Sequence, residues 1–417
     1  MITELTDTTT GDVSAKLVRL RSEVGSMALG RVLTLVVVID GTGASEAIED
    51  AIAASRQHPC RIIVVIAHDR RGTNRLDAQI RLGGDAGASE VVVLRLHGAL
   101  ANHGPSVVVP LLLADCPIVA WWPGEAPDDV AASSIGAMAG RRITDAAQHR
   151  DPRRILKKRA ASYQRGDTNL AWTRVTRWRG LLAATLDQAP FEQVTGAAVS
   201  GAPDSPSSDL LAAWLAHRLK LPVRRVATPP GSGIGAARLE RKSGMIDLVR
   251  PGDEVATLSQ PGHPDRRVSL PRPTRAECLA NELRRLDPDD TYEDALLHGL
   301  AKVSRSKLSL EEAIDKGIAP DPAASRRLAN RLRRSAAARQ AAAMIEAPDA
   351  PEAADTEQVH AATARRLQGE PTTREQPAAP SATEPSVTEG SAAAKEAGAA
   401  RRSRAATTSS KTSGGSS

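Results

Sequence analysis

LTLVVVIDGTGASEAIEDAIAASRQHPCRIIVVIAH, residues 33 to 68, is the stretch on which the fold turns. It opens and closes on runs of apolar, largely β-branched residues, LTLVVVID (33–40) and RIIVVIAH (61–68), too short for membrane spans and apolar on both strand faces. Between them Ala47, Ile48, Ala51 and Ile52 recur at helical spacing behind Ser45, a plausible N-cap. Strand, helix, strand, with both strands apolar throughout, predicts a parallel pair covered on both faces and therefore an α/β fold.

Working outward, RLDAQIRLGG (75–84) and EVVVLRLHG (90–98) read as paired strands, SVVVPLLLAD (106–115) as a helix, and PIVAWWPG and RRITDAA (141–147) as further strands. An amphipathic helix at 12–29, with Val13, Leu17, Leu20 and Val24 on one face, precedes them. Residues 1–29 are thus an N-terminal helical segment and 30–150 an N-terminal α/β domain. Helical patterns fill 152–188, followed by a strand, a helix at 208–221, another strand, four short strand-like pieces and two closing helices at 274–286 and 291–303. That order gives a second α/β domain, 151–305, whose sheet is partly antiparallel. Residues 306–346 form an Arg/Ala-rich helical extension. From 347 to 417 the chain has no aromatic residue and little apolar mass, so a disordered tail is expected.

Composition excludes several classes. The three cysteines, Cys60, Cys116 and Cys278, are far apart and form no CxxC pair, against a disulfide framework or zinc ribbon. The polar, acidic N-terminus is unlike a secretory signal and no apolar run reaches membrane-spanning length, so a cytoplasmic protein is expected. Net charge is +6, from 55 basic and 49 acidic residues, and the run SRRLANRLRRSAAARQ (325–340) with six arginines and no acid accounts for most of the excess. Without interleaved aromatics or a zinc-finger or helix-turn-helix signature, nucleic acid is an unlikely partner; an acidic protein fits better.

No catalytic constellation emerges. Gly41 and Gly43 put a GxG between strand and helix, but Glu46 stands where the third glycine of a dinucleotide fingerprint belongs. GSGIGAARLE (231–240) leads into strand-like residues rather than a helix and lacks the GK[ST] of a phosphate loop. The nine histidines include no HExxH, His58 and Cys60 alone do not make a metal site, and no GxSxG occurs. Neither cofactor nor metal is implied.

Tryptophan is the unusual feature. Phe, Trp and Tyr make up 2% of the chain, yet Trp121 and Trp122 are adjacent and Trp172, Trp178 and Trp214 lie close in sequence. Adjacent strand residues point to opposite faces, so one of Trp121 and Trp122 is expected in the core and the other on a contact surface. Trp172 and Trp178, six apart, are expected to divide in the same way.

The strings HPCRIIVVIAHDRRGTNRLDAQIRLGGDAGASEVVVLRLHG, SVVVPLLLADCPIVAWWPGEAP, RRITDA and NLAWTRVTRWRGLLAA closely resemble the glucose-6-phosphate dehydrogenase assembly protein family, OpcA, of actinobacterial type, over about residues 12 to 305. The resemblance implies a non-enzymatic partner of glucose-6-phosphate dehydrogenase that promotes its oligomer assembly or activation, supports NADPH production in the oxidative pentose phosphate pathway, and carries no cofactor. With it, Trp121, Trp122, Pro123, Trp172, Arg174, Trp178 and Arg179 become the expected partner-binding residues. The alternative is a sugar-phosphate- or nucleotide-dependent enzyme using the N-terminal α/β domain.

Overall fold

The computed structural model describes residues 1–24, 32–40, 42–68, 70–83, 89–252 and 254–345. The expected tail, Gly41 of the GxG turn and residues 84–88 lie outside the described residues. In chain order the first half carries β1 (Ile2–Leu5), α1 (Thr10–Val24), β2 (Thr34–Asp40), α2 (Ala44–Ser55), β3 (Arg61–Ala67), β4 (Arg75–Arg81), β5 (Glu90–His97), α3 (Gly104–Val108), β6 (Ile118–Trp122), β7 (Arg141–Thr144) and α4 (Pro152–Ala161). Then come β8 (Asp167–Asn169), α5 (Leu170–Thr173), α6 (Thr176–Leu186), β9 (Gly196–Gly201), α7 (Pro206–Leu219), β10 (Val223–Ala227), β11 (Ile234–Arg241), β12 (Gly244–Val249), β13 (Val255–Ser259), β14 (Arg266–Ser269), α8 (Arg275–Leu283), α9 (Asp290–Asp294), β15 (Val303–Arg305), α10 (Leu310–Asp315) and α11 (Pro322–Ile345).

The two apolar runs pair as expected: β2 and β3 are parallel, with Leu35 opposite Ile62 and Val37 opposite Val64. They sit inside an eight-stranded sheet of order β1-β4-β5-β3-β2-β6-β7-β8. The strands from β5 to β8 are all parallel, while β4 runs antiparallel to β5 and β1 to β4. Strand order reverses between β2 and β6, the arrangement of a doubly wound sheet. Side-chain alternation divides the core in two. Leu35, Val37, Ile62, Val64, Val93 and Trp121 pack under α2 and α8, while Val36, Ile63, Val92, Leu94, Ala120 and Trp122 pack against Val13, Leu17 and Leu20 of α1. Each such Val, Leu or Ile contributes roughly 1.5–3 kcal/mol by leaving water.

The second sheet has seven strands in the order β14-β13-β12-β11-β9-β10-β15. Its β9, β10 and β15 are parallel and β11 to β14 form the antiparallel meander. α7 lies in its core, started by Ser205, whose side chain accepts from the Ser208 amide, and by Pro206 in the first turn; it ends at Lys220 in the left-handed region. The helix expected over 291–303 changes its winding, from α9 through a π turn (Ala295–Gly299) to a 3-10 turn, where Gly299 rests on α7 so closely that a Cβ would meet the Ala213 carbonyl oxygen at 2.1 Å. Beyond residue 305, Ala313 and Ala319 pack on Val226 of β10.

Three strands were not expected. β1 hides in a polar N-terminus because half its residues face solvent, and it is held by register with β4, Ile2 opposite Arg81. β8, DTN, falls within a stretch read as helical; its polar side chains are buried, Asp167 held by Arg142 and Asn169 by Thr144 Oγ1 at 3.0 Å, while Thr168 Oγ1 has no hydrogen-bond partner among the described residues. β15 is three residues long and carries no alternation to read.

Candidate functional site

Both adjacent tryptophans are buried. Trp121 is 0% and Trp122 2% exposed, on opposite faces of β6, and Pro123 is buried beside them. The expectation that one ring would be left on a contact surface fails because the sheet is covered on both sides, by α2 and α8 over Trp121 and by α1 and the 104–111 segment over Trp122. Trp172 and Trp178 do not divide either. The helix breaks between α5 and α6, Val175 adopting φ −94 and ψ 0, and the change of axis turns both rings into one core, where each is 1% exposed.

Of these rings, Trp172 lines a cleft of about 850 Å3 between α8 and the α5–α6 turn. Thr274, Glu277, Asn281, Arg284 and Arg285 line one wall, recurring at three- and four-residue intervals along α8. Trp172, Arg174, Arg177 and Arg179 line the other, and the Leu270–Pro273 loop forms an end. The α8 wall is set by a capping box, in which the Thr274 hydroxyl accepts from the Glu277 amide and the Glu277 carboxylate accepts from the Thr274 amide. On the floor, Trp172 Nε1 donates to Asp289 Oδ2 at 2.8 Å, and Asp289 Oδ1 caps α9 through the Tyr292 amide. The Arg179 guanidinium lies over the Trp172 ring, 3.8 Å from its centroid. Burial pushes Arg179 down to about 10, partly opposed by the charges of Asp289 and Glu282.

The charges around the cleft sort into two sets. Arg141 donates to Glu282 Oε2 at 2.7 Å and to the Asp287 carbonyl at 3.0 Å; Thr173 Oγ1 donates to Glu282 Oε1 at 2.5 Å. Arg174 forms a two-pronged pair with Asp145, at 2.8 and 2.7 Å, and Arg272 donates to the carbonyls of Gly231 and Ser232. Arg177, Arg179, Arg284 and Arg285 have no ion pair among the described residues. Of the seven expected partner-binding residues, the cleft therefore gathers Trp172, Arg174 and Arg179, with Trp178 in the core below. Trp121, Trp122 and Pro123 belong elsewhere.

Trp122 lines a smaller pocket, about 360 Å3, at the carboxyl ends of β2, β3 and β6, where a doubly wound sheet binds ligands. Asp40 and Arg70, both lining it, pair at 2.8 Å, and a phosphate there would meet like charge from Asp40 and Glu125. The glycine-rich turn at 231–233 enters β11 as expected, and its Gly231 amide is taken by the Asp204 carboxylate. Among the described residues no group of three or more His, Cys, Asp or Glu is arranged to hold a metal ion, and no helix is long and apolar enough to cross a membrane.

Phe191 was missed by sequence reasoning. It is the chain's single phenylalanine and is 80% exposed in the loop after α6, whose outward residues Thr176, Arg177, Gly180, Ala183 and Ala184 are also exposed. Its rarity, in the polar context QAPFEQ, was the available signal.

Two family models match consecutive segments: a glucose-6-phosphate dehydrogenase subunit N-terminal domain over residues 51–161, and the corresponding C-terminal domain over residues 165–296. The chain belongs to the OpcA family. The boundary between the two OpcA models falls just before β8, so the strand completing the first sheet is supplied by the C-terminal segment. No curated protein matches the chain. Among solved structures, an oxidoreductase from Sinorhizobium meliloti is 11% identical with a TM-score of 0.35, covering 64% of this OpcA chain and 94% of its own. Myo-inositol dehydrogenase from Lactobacillus casei, solved with NAD(H) and myo-inositol, is 9% identical with a TM-score of 0.27, covering 65% and 93%. Similarity at that level carries no argument about the activity of an OpcA protein.

Proposed function

We propose that this chain is an accessory subunit of glucose-6-phosphate dehydrogenase: it binds the dehydrogenase, promotes its oligomer assembly or active conformation, and so supports NADPH production in the oxidative pentose phosphate pathway, without a reaction of its own. The observation that carries this reading is the consecutive match of both subunit models, which together take in strands of both sheets. An accessory protein of this kind acts by binding one state of its partner better than another, and only the difference in affinity shifts the equilibrium. A tenfold activation needs about 1.4 kcal/mol of difference.

The contact is proposed to run along the outer face of α6, from Arg177 past the small residues Gly180, Ala183 and Ala184 to Phe191. Trp172 and Trp178 serve it from beneath by fixing the helix rather than by touching the partner. Gly180 has open space where a side chain would stand, which allows a partner's backbone to approach closely. Phe191 supplies the exposed aromatic that interface hot spots favour. The test mixes purified dehydrogenase with this chain and follows initial rate and sedimentation. Wild type should raise the rate or the oligomer size, and Phe191→Ala should weaken the effect about tenfold with an unchanged melting temperature. A dehydrogenase indifferent to the wild-type chain refutes the accessory role; one indifferent only to the Phe191 substitution refutes the surface.

A further inference from the structure

Seven arginines and three carboxylates line the cleft between α8 and the α5–α6 turn. The carboxylates are engaged: Glu282 by Arg141 and Thr173, Asp289 by Trp172 and the α9 cap, Glu277 by the α8 cap. Three arginines are engaged as well, by Asp145, Glu282 and backbone carbonyls. Arg177, Arg179, Arg284 and Arg285 line the same cleft without an ion pair among the described residues; Arg177, Arg284 and Arg285 are exposed, and Arg179 feels the charges of Asp289 and Glu282 without pairing to either. Arg179 is the informative member. It is half-buried against Trp172, its Nη2 donates to Thr176 Oγ1 at 3.3 Å, and its Nε is buried with no hydrogen-bond partner among the described residues.

We propose that this cleft binds a phosphorylated sugar, its phosphate on Arg179 and the rim arginines Arg177, Arg284 and Arg285. Guanidinium forks match phosphate oxygens two at a time, and four around one hollow suit a dianion better than a lone carboxylate. The volume, about 850 Å3, falls within the range of small-molecule sites. The rest of the ligand is read from the uncharged lining. Asn281 and Gln57 present exposed amides with no hydrogen bond among the described residues, suited to sugar hydroxyls. Trp172, the lining's single aromatic, has its face covered by Arg179, so a nucleotide base finds no ring to stack on. An acidic peptide is the competing occupant. It would engage the exposed rim arginines but would leave the half-buried Arg179 unmatched.

This inference does not depend on the accessory role, and its experiment uses the full chain alone. Titration calorimetry at low salt is run with glucose 6-phosphate, ribose 5-phosphate, their parent sugars, inorganic phosphate and an oligoglutamate peptide. Saturable binding is expected of the sugar phosphates, weaker binding of inorganic phosphate, and none of the parent sugars. Arg177→Gln and the double change Arg284→Gln with Arg285→Gln, all at exposed positions, should each weaken sugar phosphate binding at least about tenfold. Lys157→Gln, on exposed α4 surface outside the cleft, should leave it unchanged. Three results overturn the proposal: no saturable sugar phosphate binding, binding unaltered by the arginine changes, or oligoglutamate binding as tightly as the sugar phosphates.

Discussion

Glu282 is where the C-terminal segment is tied electrostatically to the first sheet. It is 7% exposed and takes Arg141, 2% exposed at the start of β7, on one oxygen and the Thr173 hydroxyl on the other. Glu282→Leu removes the negative charge and leaves the Arg141 guanidinium with only the Asp287 carbonyl at 3.0 Å. An uncompensated buried charge of this kind costs about 3–5 kcal/mol. Removing both charges, Arg141→Met with Glu282→Leu, abolishes the desolvation penalty along with the attraction and leaves Thr173 short of an acceptor, for a net loss of about 1 kcal/mol. The double-mutant cycle should therefore show coupling of at least about 2 kcal/mol. Urea unfolding at neutral pH, followed by tryptophan fluorescence and far-ultraviolet dichroism, measures all three variants. If Glu282→Leu stays within about 1 kcal/mol of wild type, or the double variant loses the sum of the two single losses, the pair does not hold the segments as described.

Trp121→Ala and Trp122→Ala should each destabilise the protein by about 3–5 kcal/mol, because each empties a ring-sized space on its own side of β6. Full stability in either variant by thermal melt contradicts the double cover. The Cys60 and Cys278 thiols are pushed up from the ordinary 9.0 to about 12 by burial, so the folded chain keeps protons there that the unfolded chain releases. Their contribution is intact below about pH 9 and declines as pH rises toward 12, by up to about 1.4 kcal/mol per pH unit per thiol. Urea midpoints recorded from pH 8 to 11 should fall accordingly and fall less steeply in Cys60→Ala; identical slopes would exclude this linkage.

The first sheet was legible because LTLVVVID and RIIVVIAH carry their burial in composition alone, and β5 and β6 follow the same rule. The meander was legible through alternation, as in β11, where buried and half-buried residues succeed each other. β8 escaped because periodicity reports apolar burial and its three residues are buried polar groups, two of them, Asp167 and Asn169, held by Arg142 and Thr144, distant in sequence. The tryptophans mark the other limit. Sequence shows that Trp121 and Trp122 point opposite ways but not that α8, more than a hundred residues later, covers one of them. The cleft was out of reach for the same reason: Arg284 and Arg285 gain meaning only when α8 is laid beside Arg177 and Arg179.

That placement of α8 bears on how the polypeptide is made. Cys278, Leu279 and Leu283 roof Val37, Val64 and Trp121, strands that leave the ribosome long before them. Until residue 283 emerges, one side of the nascent sheet stays partly uncovered and sticky, so the earlier portion finishes folding only after the later one arrives, and before that it is exposed to clumping unless a chaperone holds it.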